Sequence, residues 1–262
     1  KIDMSKNEMY KACLKTAEVN DHLFDKNDEH RLMIDVSRGL LGIYHGIKEI
    51  NKGPNIIIAD FPLRWTVSGM GKLFDTGINA VITSQRVIPA SLMDPKIKNR
   101  SRLFYQMANI EASDFKGENN WALMLDPDGF IAEGSGNNFF IIKNKKVISP
   151  EGRNMLRGIS RSYVMDELCK KLKLPVIEKN IEPYDVYEAD EAFVAATPFC
   201  LLPVTSLNGQ KIGDGKVGKI YSEILAKWCS ESKVKIDQQI KSWNKIDHNI
   251  KANNSPTPYK FK

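Results

Sequence analysis

Apolar and polar positions alternate along the chain with two periods, and the longer period marks helices. Apolar residues three and four positions apart predict amphipathic helices over residues 6–20, 99–112, 160–174 and 217–228. In the second of these, Leu103, Met107 and Ile110 have the spacing of core positions. The helix at 217–228 is the last one that the pattern clearly predicts.

Shorter apolar runs, rich in Val, Ile and Phe, predict strands. From Trp121 onwards they follow one another closely, and the turn sequence Asp126–Gly129 separates the first two, which is typical of a meander. The predicted strands are Arg31–Arg38, Asn55–Ala59, Gly77–Thr83, Trp121–Leu125, Phe130–Glu133, Asn138–Ile142, Lys146–Ser149 and Ala192–Ala196.

This order of elements predicts a two-lobe α/β (α+β) protein. We expect a small α+β lobe over residues 1–92, an extended connection with Pro95 over 93–98, and a larger lobe over 99–244. Residues 245–262 are rich in Lys, Asn and Pro, and we expect a loose tail there.

Composition excludes several classes of protein. The 262 residues are 42% hydrophobic and 27% charged, as in an ordinary globular protein, and no apolar run is long enough to span a membrane. The net charge of +6 is dispersed, which argues against a nucleic-acid partner. The four cysteines lack metal-binding spacing, so we expect reduced thiols, no metal and a cytoplasmic location.

Two short motifs carry the candidate chemistry. Glu133 ends a predicted strand and precedes a Gly-Ser-Gly bend and Asn138, and Gly158-Ile-Ser160 stands where a loop becomes a helix. A carboxylate can pair with a cationic ring nitrogen, and the amides that open a helix can hold a phosphate. Thr197, after a buried strand, can add a hydroxyl. Together they suit pyridoxal 5'-phosphate (PLP), although each feature alone is explained equally well by a surface Glu, a helix cap or a turn.

PLP chemistry also needs a lysine that forms a Schiff base with the cofactor and then moves protons. Lys96 and Lys98 both stand at the end of the predicted connection between the lobes, just before a helix. Their position alone does not decide between them, and solvated surface lysines are the simpler reading of both.

Taken together, these residues resemble the class IV (fold-type IV) PLP-dependent aminotransferases, which include branched-chain and D-amino-acid aminotransferases and aminodeoxychorismate lyases. The family signature of Glu, Gly, a small residue, Asn, an apolar residue and an aromatic is matched from Glu133 to Phe140. Its continuation, Leu-x-Gly-Ile-x-Arg, is matched by Leu156–Arg161, with Ser149 in place of the usual Thr before Pro150.

The resemblance implies a role for each matching residue. The family's Schiff-base lysine stands thirteen residues before a Glu-Ala pair, the relation of Lys98 to Glu111, and Lys98–Leu103 resembles the lyase-type Lys-x-x-x-Arg-Leu. Glu133 would pair with the ring nitrogen and Leu156 would pack on the ring. The amides of Ile159 and Ser160, together with Thr197, would hold the phosphate. The resemblance also implies a β-barrel-like sheet in the larger lobe.

The substrate side departs from the family pattern. Arg38-Gly39 resembles an Arg-Gly pair that some members use for the substrate carboxylate, so Arg38 is a candidate substrate residue; a solvent-facing strand residue is the alternative. His45 resembles a carboxylate-binding His, but Ile43 replaces its partner Arg. Family members begin with a further strand-rich segment, so we expect the small lobe to be N-terminally incomplete.

The expected function is transfer of an amino group between an amino acid and a 2-oxo acid through a Lys98 aldimine, in a homodimer. One alternative is pyruvate elimination of the aminodeoxychorismate lyase type. Another is a truncated, non-catalytic relative that acts as a binding module. The sequence does not give the substrate side chain or its chirality.

Overall fold

A computed structural model describes residues 2–39 and 53–247 of the chain. The chain forms two compact units, Lys1–Ser68 and Gly69–Lys262.

The described residues of the first unit form two α-helices and a two-stranded sheet. Helix α1 begins after a capping box, in which the Ser5 hydroxyl accepts from the Glu8 amide and the Glu8 carboxylate accepts from the Ser5 amide. Strands β1 and β2 pair antiparallel over their full length, and α1 contacts β2. The elements are α1 (Lys6–Asn20), β1 (His30–Ser37), β2 (Asn55–Pro62) and α2 (Arg64–Val67).

The second unit contains nine strands and seven α-helical segments among the described residues. Its strands are β3 (Ile78–Arg86), β4 (Asn120–Leu125), β5 (Ile131–Gly134), β6 (Asn138–Lys143), β7 (Lys146–Pro150), β8 (Val176–Lys179), β9 (Glu191–Ala196), β10 (Cys200–Leu207) and β11 (Gln210–Lys211). Its helices are α3 (Leu73–Thr76), α4 (Leu103–Ser113), α5 (Ile159–Ser162), α6 (Cys169–Lys171), α7 (Pro183–Tyr187), α8 (Lys219–Ser232) and α9 (Ile236–Asp247). A π-helical stretch, Tyr163–Leu168, joins α5 and α6 into one continuous helix.

Six of these strands close into a ring, in the order β10, β3, β4, β5, β6 and β9, with β9 returning to β10. Strands β4, β6 and β9 of the ring are mostly apolar and mostly buried, as expected for strands that are covered on both faces. Helix α4 packs on β3 and β4, and α8 packs on β9 and β10. The stacked rings of Phe140 and Phe193, 4.7 Å apart, are part of the buried core. The predicted α+β class with a barrel-like sheet is therefore confirmed.

The boundary between the compact units differs from the predicted one. The units divide between Ser68 and Gly69, whereas the pattern placed the end of the small lobe at residue 92. The reason is β3, which pairs in parallel with β4 and β10 and so belongs to the ring. The expected connection at 93–98 consequently lies inside the second unit. Most of the expected tail lies outside the described residues.

The predicted core face of α4 is wrong. Leu103, Met107 and Ile110 are 73%, 45% and 49% exposed, whereas Ala108 and Ala112 are buried. The small alanine side chains let α4 approach β3 and β4 closely, and this rotates the larger apolar residues outward.

Several elements were not predicted, and two of them, α9 and β10, matter most for the fold. Helix α9 follows α8, so the helix at 217–228 is not the last, and Ile236, Ile240 and Trp243 of α9 are buried. Strand β10 contains Pro203, which is uncommon within a sheet, and this concealed a strand that closes the ring. None of the helices in the described part of the chain is long and apolar enough to cross a bilayer.

Candidate active site

Glu133 lies on β5, at the beginning of the tight bend that leads into β6. It stands opposite Asn138 in the sheet, and the amide of Gly134 donates to the carbonyl of Asn137 at 3.0 Å. A side chain at Gly134 would place its Cβ only 2.5 Å from Asn137 Oδ1, so the close bend requires glycine. The sequence Glu-Gly-Ser-Gly-Asn-Asn thus forms a compact turn that holds one carboxylate inside the protein.

The Glu133 carboxylate is buried and hydrogen-bonded on both oxygens. Tyr105 Oη donates to Oε1 at 2.7 Å, and the Leu156 amide and Asn138 Nδ2 donate to Oε2 at 3.2 and 3.3 Å. Burial raises the pKa of Glu133 to about 7, against the lowering effect of these hydrogen bonds and of Lys98 and Arg102. A cationic partner would restore the charged form of this carboxylate.

Asn138 joins the two halves of the sequence motif. Its Nδ2 donates to the carbonyl of Leu156 at 2.8 Å as well as to Glu133. Its Oδ1 lies where a side chain at Gly158 would come within 2.3 Å, so only glycine fits at that position. The Asn and the second Gly of the motif are therefore coupled through direct packing.

Gly158 is also the residue from which α5 begins. No side chain caps this helix start among the described residues, so the first amides of the helix, from Ile159 and Ser160, have no intrahelical acceptor. Ile159 is 87% exposed, whereas Ser160 is buried. Amides at the positive end of a helix are suited to an anionic group such as a phosphate.

Thr197 follows the end of β9 and is exposed. Ala195 of β9 lies opposite Asn138 of β6, and α5 packs against β9. These pairings bring Thr197 to the end of the ring at which β6 begins.

Lys98 lies at the mouth of a cleft that leads to Glu133. Partial burial, reinforced by the charge of Arg102, lowers the pKa of Lys98, while Glu133 opposes this shift. The cleft encloses about 400 Å³, counted out to its open mouth. Residues that line it include Lys98, Asn99, Arg102, Tyr105, Glu133 and Leu156.

The alternative lysine, Lys96, pairs with Asp94 at 3.2 Å on the surface. It does not line the cleft.

Two signature residues have structural partners. Buried Arg161 donates to Ser149 Oγ at 2.9 Å and pairs with Glu178 at 2.8 Å, which ties the helix to β7 and β8. Glu111 accepts from the amide and the hydroxyl of Ser84, both at 2.7 Å, which ties α4 to β3.

Of the candidate substrate residues, Arg38 follows β1 in the first unit and is exposed. His45 and Ile43 lie outside the described residues.

Tyr105 is the site residue that sequence reasoning missed. It lies on α4, seven positions after Lys98, and its rotation toward Glu133 follows from the packing of Ala108 and Ala112 against the sheet. The one signal in the sequence was a polar aromatic directly after the Arg102-Leu103 pair and Phe104.

The donors and acceptors of the site fit PLP. The Glu133 carboxylate suits a protonated ring nitrogen, the open amides at Ile159 suit a phosphate, and Lys98 has a lowered pKa. The buried Oδ1 of Asn99, in the same cleft, has no hydrogen-bond partner among the described residues, which leaves an acceptor for a bound group.

Comparison with known proteins points to the same family. The sequence pattern of the family "Amino-transferase class IV" matches residues 1–207. A Methanocaldococcus jannaschii protein, named among the branched-chain-amino-acid aminotransferases, is 30% identical over 235 residues, 87% of this chain and 76% of its own length.

Solved structures share the fold. The branched-chain amino acid aminotransferase of Escherichia coli superposes with a TM-score of 0.73 at 25% identity, covering 86% of this chain and 71% of that one. The branched-chain amino acid aminotransferase of Thermobaculum terrenum, solved in its PLP form, gives 0.72 at 22% identity, covering 93% and 74%. The family match spans most of the chain, and the expectation from the sequence is confirmed: this chain belongs to the class IV aminotransferases.

Proposed function

We propose that the chain transfers an amino group between an amino acid and a 2-oxo acid, with PLP as cofactor and Lys98 as the catalytic lysine. The observation that carries this proposal is the buried Glu133 carboxylate at the base of a cleft with Lys98 at its mouth. Such a carboxylate is costly to bury unless a cation faces it.

In this proposal, each residue of the site has a separate chemical role. When bound, PLP supplies an electron-withdrawing ring that stabilises negative charge at the substrate Cα. Lys98 Nζ, with its lowered pKa, serves as nucleophile toward the cofactor aldehyde and as the base that moves the Cα proton. The Glu133 carboxylate would accept a hydrogen bond from the protonated ring nitrogen and so keep the proton on the ring. Leu156 would pack on the ring, and the Ile159 and Ser160 amides with the Thr197 hydroxyl would bind the phosphate.

The substrate class we propose is the branched-chain amino acids, because relatives and structural neighbours carry that name. Arg38 is our candidate for the substrate carboxylate. An assay of the full chain with PLP, 2-oxoglutarate and leucine, isoleucine or valine tests the proposal directly. Formation of the matching 2-oxo acids supports it, and a chain that binds PLP without converting any amino acid contradicts it. Release of pyruvate from aminodeoxychorismate would instead favour the lyase alternative.

We also propose that the enzyme is a homodimer. The exposed face of α4 presents Leu103, Met107 and Ile110, an apolar stripe that water disfavours. Burial of this stripe against a second copy would remove that surface from solvent. The four cysteines are unpaired, which supports a reducing, cytoplasmic location.

A further inference from the structure

One carboxylate oxygen of Glu133 has an acceptor position that no hydrogen bond fills among the described residues. A carboxylate offers about two acceptor positions on each oxygen. Oε2 receives both the Leu156 amide and Asn138 Nδ2. Oε1 receives Tyr105 Oη, and no second donor to Oε1 is found among the described residues. The remaining acceptor position is therefore on Oε1, beside the tyrosine hydroxyl.

We propose that Tyr105 is a positioning residue that directs Glu133 Oε1 to the cofactor's ring nitrogen and weakens this oxygen as a base, so that the proton stays on the ring. The inference rests on the proposed function, because it concerns the same cofactor. A phenol that donates to a carboxylate stabilises its charged form. Loss of the hydroxyl would make Oε1 more basic and draw the ring proton toward Glu133.

Tyr105 is held firmly enough for this role. Its ring packs against Phe104, with ring centroids 4.0 Å apart, and the Arg102 guanidinium lies 5.5 Å from the ring centroid. Burial and the neighbouring Glu133 charge both raise the pKa of Tyr105, so the hydroxyl keeps its proton and acts as a donor.

The groups that act electrostatically on Glu133 come from three directions. Lys98 approaches from the loop before α4, Arg102 and Tyr105 from the start of α4, and the Leu156 amide from the loop after β7. Asn138 on β6 is neutral, as is Met124, which lies opposite on β4. Removal of the Tyr105 hydroxyl alone leaves both neighbouring cations in place, so a change in Glu133 titration reports on that hydrogen bond.

The sign of the effect follows from linkage. The pKa of Glu133 is about 4.5 in the unfolded chain, and burial raises it to about 7 in the folded one. Between these two pH values the folded state therefore binds more protons than the unfolded state. The free energy of unfolding therefore falls as the pH rises through this window and levels off above it. A Tyr105→Phe variant, with a more basic Glu133, levels off at a higher pH.

The test is urea unfolding of the full chain, freed of cofactor, between pH 5 and 9. The difference curve against Glu133→Gln isolates the contribution of Glu133. The levelling point is the pH above which the Glu133 contribution to the free energy of unfolding no longer falls. We expect Tyr105→Phe to raise this pH by about one unit, whereas Phe104→Leu should lower the free energy of unfolding without changing that pH. An unchanged levelling point in Tyr105→Phe overturns the proposal.

If Tyr105→Phe does not fold, 3-fluorotyrosine placed at position 105 preserves the shape and makes a stronger donor. It should move the levelling point downward, and no shift overturns the proposal. Because these measurements need no cofactor, they are separable from the proposed function. A shift in a chain that never binds PLP contradicts the function, whereas PLP binding without a shift contradicts the role of Tyr105.

Discussion

At the scale of single residues, the site depends on one buried carboxylate and one lysine with opposite pKa shifts. Burial raises the pKa of Glu133 and lowers that of Lys98, so it favours the uncharged form of each group. A lysine with a lowered pKa is neutral in a larger fraction of molecules at a given pH, and the neutral amine is the form that acts as nucleophile or base. The two lysines near the cleft are therefore not equivalent, because Lys96 is paired with Asp94 at the surface.

Substitution of Lys98 by Arg should lower the amino-transfer rate by about 100-fold or more, because arginine keeps the charge but cannot act as the nucleophile or base. Lys96→Arg is the matched control and should retain the activity. The measurement is kcat with a branched-chain amino acid and 2-oxoglutarate. Equal losses in both variants would contradict the assignment of Lys98.

The pH dependence of the same reaction provides a second check at this scale. The proposed base, Lys98, would act in its neutral form, and its pKa is lowered. The value of kcat should therefore rise with pH and reach its plateau below the ordinary lysine pKa of 10.5. A rate that continues to rise up to that value would show that Lys98 is not shifted.

At the scale of elements, the helix start at Gly158 and the hairpin at Asn138 are fitted to each other. An added Cβ at Gly158 would meet Asn138 Oδ1 at 2.3 Å, whereas one at Gly136, in the neighbouring bend, meets nothing within 4 Å. The contact couples the Glu133 side of the site to the helix start that we propose for the phosphate.

Gly158→Ala should therefore lower the free energy of unfolding by about 1–3 kcal/mol, since it overpacks a fixed contact. It should also weaken PLP binding, because α5 is displaced. Gly136→Ala serves as the control for stability and should change the free energy of unfolding little. Chemical unfolding and PLP titration of both variants measure these effects. Equal stability of the two variants would refute the coupling.

The motif could be recognised from the sequence, whereas the orientation of α4 could not. The motif from Glu133 to Arg161 was recognisable because its contacts are local, as with Asn138 and Gly158. The orientation of α4 was not, because an apolar stripe was taken for the buried face while alanines made the actual contact. Tyr105 was missed for the same reason, since its role depends on that rotation.

At the scale of the whole molecule, the apolar stripe of α4 is the surface that we propose as the dimer interface. Leu103, the most exposed of its three residues, lies on the side of α4 opposite Ala108 and Ala112. Replacement of Leu103 by a smaller or a charged residue should therefore leave the ring of strands intact.

If the proposed dimer forms through this face, Leu103→Glu should weaken it about tenfold or more, because the change would bury a charge in the interface. Asn109→Glu, which adds the same charge beside the stripe on exposed α4 surface, is the matched control. Light scattering over a concentration series measures the dimer fraction. A Leu103→Glu variant that dimerises like the control would exclude this face as the interface.

The central claim is that Lys98 is the residue to which PLP attaches, and borohydride reduction tests it most directly. Reduction of the PLP-incubated chain fixes the pyridoxyl group on the lysine that holds it, and peptide mapping then identifies that lysine. We predict a single pyridoxyl label on Lys98, lost in Lys98→Arg and kept in Lys96→Arg. A label on Lys96 or elsewhere, or no label at all, would contradict the account.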